Sequence, residues 1–183
     1  LIVLCCLNGI LSQGQFNNFK FENLDTVDGL SSSTCLTIFE DSEGFLWFGT
    51  IDGLNKYNGY EFEIYKSILN DPSSLSNNRI NAIVEGTDGN LWIGTNNGLN
   101  YYNKKTNSFL RVDLYKQLSL SNNPRKFINA LLFDKENNAL WVATNNGVIK
   151  IILEDFTTDI SDLKFYYYLN DDSNLNSLDN NIV

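Results

Sequence analysis

Gly44–Gly59 reads GFLWFGTIDGLNKYNG, Gly89–Asn103 reads GNLWIGTNNGLNYYN, and Asn138–Ile151 reads NALWVATNNGVIKI. The same phrase therefore returns with its tryptophans, Trp47, Trp92 and Trp141, 45 and 49 residues apart. A period of this length marks a repeat architecture, in which each unit buries its apolar face only against a neighbour. The register extends upstream. Leu30 and Leu75 each precede their tryptophan by seventeen positions, and Ile38 and Ile83 by nine. INAIV at Ile80–Val84 returns as INALL at Ile128–Leu132, and SLSNN at Ser74–Asn78 returns as SLDNN at Ser177–Asn181.

Each unit reads as four strands. An apolar run (Cys35–Phe39, Ile80–Val84, Ile128–Phe133) is followed by a turn, then by Leu46–Thr50, Leu91–Thr95 or Leu140–Thr144. In a strand, Trp47 and Gly49 share one face while Leu46 and Phe48 share the other. Asp52-Gly53, Asn97-Gly98 and Asn146-Gly147 are expected to supply the positive φ angles of a two-residue hairpin turn. The third strand then starts at Leu54, Leu99 or Val148, and a fourth is expected near Glu61–Tyr65, Phe109–Leu114 and Phe165–Leu169. Helical repeats would need a 3.6-residue apolar period, which these segments lack.

Four short antiparallel strands every 45 residues or so describe a blade. The predicted fold is all-β, a partial β-propeller of about three four-stranded blades plus the start of a fourth. The units lie around 30–69, 75–118 and 127–169, with the fourth beginning near 177. Propellers usually close with about four to eight blades, so the chain is expected to be a fragment of a longer propeller. The expected signature comprises Trp47, Gly49, Thr50, Gly53, Leu54 and Tyr57; Trp92, Gly94, Thr95, Gly98, Leu99 and Tyr102; and Trp141, Thr144 and Gly147. A tryptophan packed between blades buries roughly 150–250 Å², an upper bound of about 4–6 kcal/mol. Gly49, Gly94 and Ala143, two positions on, leave room for the adjacent blade.

Composition narrows the function. The net charge is −9, with no basic stripe, which argues against nucleic acid, whose binding needs clustered Lys and Arg. Histidine is absent, removing the commonest general base and zinc ligand. The three cysteines form neither a metal nor a disulfide pattern, and Cys35 is expected to be a small buried hydrophobe. No catalytic residue, cofactor or metal ligand is predicted. The N-terminal run LIVLCCLNGIL, followed by Ser12-Gln13-Gly14, reads as the apolar core and cleavage region of a signal peptide over residues 1–14, truncated at its start. Export follows as an expectation.

The phrases DGLSSS (Asp28–Ser33), FEDSEGFLWFGTIDGLNKYNGYEF (Phe39–Phe62) and DPSSLSNNRINAIVEGTDGNLWIGTNNGLNYYN (Asp71–Asn103) resemble two-component regulator propeller repeats. The resemblance runs from about Phe19 to Val183 and holds best in the first two units, where W-x-G-T-x-x-G-L-x-x-Y is intact. The third unit departs at Ala143, Val148 and Ile151 and has a longer tail through Glu154–Asp162. Such repeats form the periplasmic sensor region of hybrid two-component receptors common in Bacteroidetes. There, two propellers and an immunoglobulin-like module precede a membrane helix, a histidine kinase, a receiver and a DNA-binding domain. The resemblance thus implies a location at the periplasmic face of the inner membrane and an oligosaccharide ligand. It also implies further blades and signalling domains in the same polypeptide, with a homodimer open. Some members instead feed cyclic-dinucleotide synthases.

Three readings compete. As a sensor, the chain binds ligand on one propeller face; Tyr101, Tyr102, Asn96, Asn97, Asn145 and Asn146 are residue types that meet sugars, although turn chemistry explains the asparagines first. As a carbohydrate-active enzyme, it would need a carboxylate pair such as Asp41 and Glu43, which read instead as solvated turn residues. Sialidase-type propellers also carry an Asp five before the tryptophan, where this chain has Ser42, Thr87 and Glu136. The third reading is an architectural, protein-binding propeller.

Overall fold

A computed structural model of the chain describes residues 23–116, 126–153, 160, 163–171, 173–174 and 177–180. The signal-peptide reading of residues 1–14 and most of the long tail of the third unit lie outside the described residues. Among the described residues the protein is all-β, with three four-stranded antiparallel sheets, each built from consecutive strands. The first holds β1 (Cys35–Glu40), β2 (Leu46–Thr50), β3 (Gly53–Tyr57) and β4 (Phe62–Tyr65). The second holds β5 (Ile80–Glu85), β6 (Leu91–Thr95), β7 (Gly98–Asn103) and β8 (Ser108–Val112). The third holds β9 (Ile128–Asp134), β10 (Ala139–Thr144), β11 (Gly147–Ile152) and β12 (Lys164–Tyr168).

The sheets fan out from their first strands. Successive sheets meet chiefly where β1 packs on β5 and β5 on β9, backed by β2 against β5 and β6 against β9. These are propeller blades seen from the axis outward. The second strand of each blade then has a neighbouring blade to fill against. Trp47, fully buried, lies in one apolar cluster with Ile80, Leu91, Ile93 and Tyr102 of the second blade. Trp92 lies in the next cluster with Ile128, Leu140, Val142 and Ile149 of the third. Consecutive residues of β6 therefore serve two different cores, Trp92 facing forward and Leu91 and Ile93 facing back. The middle blade, covered on both faces, is buried along the whole of β6, whereas β1 alternates between exposed and half-buried. Trp141, in the third blade, is only half-buried.

Close approach accounts for the small residue after the tryptophan. A Cβ on Gly49 would stand 2.7 Å from Ile80 Cγ2, and one on Gly94 would stand 2.5 Å from Ile128 Cγ2. Real Cβ atoms essentially never come that near, so the next blade's first strand occupies the space a side chain would need.

The hairpin turns differ from expectation. Gly53, Gly98 and Gly147 take φ of 137°, 110° and 107°, but Asp52, Asn97 and Asn146 do not enter the positive region. Thr50 pairs directly with Gly53, which leaves Ile51 and Asp52 as the loop. A threonine hydroxyl replaces the missing left-handed residue: Thr50 Oγ1 accepts from Asp52 N at 3.0 Å and donates to Gly53 O at 3.0 Å. Thr95 and Thr144 repeat the arrangement in the other blades.

The same threonines anchor each blade's lead-in segment. Ser31 Oγ lies 2.9 Å from Thr50 Oγ1, Ser31 N donates to Asn55 Oδ1, and Asn55 Nδ2 returns to Ser31 Oγ. Ser76, Thr95 and Asn100 repeat this network in the second blade. In the third, Ile149 stands where Asn55 and Asn100 stood, and Tyr115 OH supplies the hydroxyl, 3.3 Å from Thr144 Oγ1. Cys35 is exposed rather than buried, since among the described residues no blade packs on that side of β1. Its thiol is held by Thr37 O and Gly49 O.

Candidate ligand-binding cleft

The first strands end together, and their ends open a cleft of about 540 Å³, within the range of ligand pockets. Phe39, Glu40, Asp41 and Ser42 line it from the first blade, Val84, Glu85 and Gly86 from the second, and Leu132, Phe133 and Lys135 from the third. By strand register Phe39, Val84 and Leu132 are equivalent, each paired with its blade's tryptophan. Repetition of one position thus makes an apolar tier, which continues into Glu40 and Asp41 in the first blade, Glu85 in the second, and Phe133 and Lys135 in the third, with Glu40 and Lys135 at the rim. Glu40 and Lys135 of that rim are exposed.

Below the rim lies an ion cluster. Lys104 Nζ, from the turn after β7, is 2.9 Å from Asp41 Oδ2, 3.1 Å from Glu85 Oε1 and 3.5 Å from Glu43 Oε1. Asp41 Oδ2 also accepts from Trp47 Nε1 at 2.8 Å, while Oδ1 accepts from the backbone N–H of Glu43 and Phe45. Glu85 accepts from Ser42 N at 2.9 Å and Ser42 Oγ at 2.8 Å. One lysine of the second blade therefore fixes the turn of the first, and with it the cleft wall. Between the second and third blades, Thr87 Oγ1 and Asn138 Oδ1 meet at 3.0 Å at the same level.

Asp41 is thus no solvated turn residue, because its turn folds the carboxylate under Trp47 and its side chain is wholly buried. Burial alone would raise its pKa, but the bonds from Trp47, Lys104 and Phe45 outweigh that and hold it below the ordinary 3.8. Burial would lower Lys104, and its bonds to Asp41 and Glu85 instead raise it above 10.5. The sign follows for both. A depressed carboxylate contributes stability above its unfolded pKa and loses it as pH falls through the folded value. A raised lysine contributes below its unfolded pKa and loses it as pH rises through the folded value. Unfolding midpoints measured across pH are therefore expected to be level between these limits, falling below about pH 4 and above about pH 10.5. In Asp41→Asn, the acid limb should be weaker.

The tyrosines and asparagines considered as sugar contacts have other occupations. Tyr101 is buried, its hydroxyl donating to Asp88 and accepting from Asn90. Tyr102 is buried against Trp47, its hydroxyl 2.9 Å from Tyr65 OH and bonded to Asn107. Asn97 and Asn146 are hairpin residues, reaching Ser76 O and Tyr115 OH respectively. Asn96 and Asn145 accept from Asn81 and Asn129, which sit at the β-bulges that open β5 and β9. Asn81 also donates to Ile128 O of the next blade at 2.8 Å, so it ties blades together at the opposite end of the axis. Among the described residues no group of three or more His, Cys, Asp or Glu could hold a metal, and no helix is long and apolar enough to cross a membrane.

Comparison with known proteins agrees with this architecture. Residues 29–52 and 74–97 match the two-component regulator propeller family. A 75-residue stretch is 40% identical to histidine kinase P4 of Formosa agariphila, covering 41% of this chain and 6% of that protein. The extracellular domains of two hybrid two-component systems of B. thetaiotaomicron share the fold. One is 29% identical with a TM-score of 0.67 over 81% of this chain, the other 25% identical with 0.66 over 87%. The chain spans about a fifth of each of those solved chains.

Proposed function

We propose that this chain, two stretches of which match the two-component regulator propeller family, is part of the extracytoplasmic sensing region of a hybrid two-component receptor, taking oligosaccharides at the cleft where its first strands end. The observation that carries the reading is that cleft, of ligand size, lined by two phenylalanines with a carboxylate and an ammonium at its rim. Pyranose rings present apolar C–H faces and polar edges, and such a lining offers both an aromatic surface and hydrogen-bond partners. Binding would shift an existing equilibrium between receptor states; the histidine kinase chemistry belongs to other parts of the receptor. The buried, fully bonded Asp41 supports a role without bond cleavage, since its oxygens are occupied by donors.

The test is equilibrium binding of fractionated polysaccharide digests to the chain, with the glycan recovered and sized afterwards. Saturable binding with the glycan unchanged is expected. Shortened glycan would establish an enzyme instead, and binding of partner proteins alone an architectural propeller.

A further inference from the structure

We infer that the cleft selects uncharged oligosaccharides and rejects those bearing uronate or sulfate groups. This rests on the oligosaccharide reading above and adds the ligand class. Around the cleft stand four carboxylates, Glu40, Asp41, Glu43 and Glu85, against two ammonium groups, Lys104 and Lys135. Lys104 is committed to the cluster beneath the rim, with bonds to Asp41 and Glu85 and a longer contact to Glu43. Both oxygens of Asp41 and both of Glu85 are likewise taken by protein donors. These groups set the local field but offer a ligand little further bonding.

Recognition then falls to the partly exposed rings of Phe39 and Phe133, with Glu40 and Lys135 at the rim. Sugar hydroxyls satisfy both rim groups, donating to the Glu40 carboxylate and accepting from the Lys135 ammonium. An anionic sugar gains one ammonium contact and meets an excess of two negative charges in return, within a chain whose net charge is −9. Like-charge juxtaposition of this kind acts against the wrong ligand more than it helps the right one.

Binding should be measured on the full chain with neutral gluco- and manno-oligosaccharides and with oligogalacturonides of matched length, at low and high salt. Neutral oligosaccharides are expected to bind saturably with little salt dependence. Phe133→Ala should weaken them about tenfold through loss of the ring face. Glu40→Lys, at an exposed position, leaves the fold intact and should raise oligogalacturonide affinity about tenfold at low salt, an effect that salt removes. Wild-type preference for oligogalacturonides, weakened by Phe133→Ala, would overturn the charge inference and leave sensing intact. Neutral binding untouched by both substitutions would move the ligand away from this cleft. Binding of neither class would remove the oligosaccharide reading itself.

Discussion

Trp47→Ala is expected to destabilise the protein by about 3–5 kcal/mol, read as a fall in the urea midpoint. Trp47 is fully buried between the first and second blades. Its ring lies 6.0 Å from that of Tyr65 and 5.4 Å from that of Tyr102. The second blade's Ile80 closes over the adjacent Gly49, so the surroundings have little room to collapse into the void. Truncation also takes from the Asp41 carboxylate a donor at 2.8 Å. Trp47→Phe separates the contributions, since it retains most of the apolar volume and loses only the bond, which should cost about 1–3 kcal/mol. Trp92→Ala, at 1% exposure, should match Trp47→Ala. Trp141→Ala should cost distinctly less in this chain, because its side chain is only partly buried and its ring lies beside Tyr168 and the Lys150 ammonium. Equal losses at all three positions would contradict the burial gradient across the blades.

That gradient marks the boundary of what the residues alone convey. The strands and the three repeat units are readable because the phrase around each tryptophan carries a period-two pattern and a turn, both local properties. The alternation of Trp47 and Gly49 against Leu46 and Phe48 is readable for the same reason. The positions of the hairpin asparagines were visible too, but the source of turn geometry was not: the threonine at the end of the second strand does what a second left-handed residue was expected to do. Asn55 and Asn100 read as ordinary third-strand residues, and only the fold brings Ser31 and Ser76, 24 positions earlier, onto them. Cys35, expected to be buried, is exposed because the pattern of β1 states which residues can be buried, while burial depends on whether a neighbouring blade is there to cover them.

The ion cluster was the least legible feature, since Asp41 and Lys104 are far apart in sequence and meet only when two blades pack side by side. It is also the feature whose disruption has the second large expected effect. Lys104→Met should cost about 3 kcal/mol, toward the low end for breaking a buried pair, because Asp41 keeps its donors from Glu43, Phe45 and Trp47. Lys66→Met removes a pair of similar length, 2.7 Å to Asp52, but its two side chains are 43% and 48% exposed. Water screens that pair, and its loss should cost under about 0.5 kcal/mol. In Lys104→Met, the buried Asp41 carboxylate is left without its cation, so the deficit relative to wild type should shrink as pH falls and it protonates. Asp41→Asn combined with Lys104→Met should recover part of the loss, a coupling that a double-mutant cycle measures. Lys104→Met and Lys66→Met behaving alike, with no pH dependence and no coupling to Asp41, would mean that blade contacts are held by apolar packing alone and that the cleft wall does not depend on this lysine.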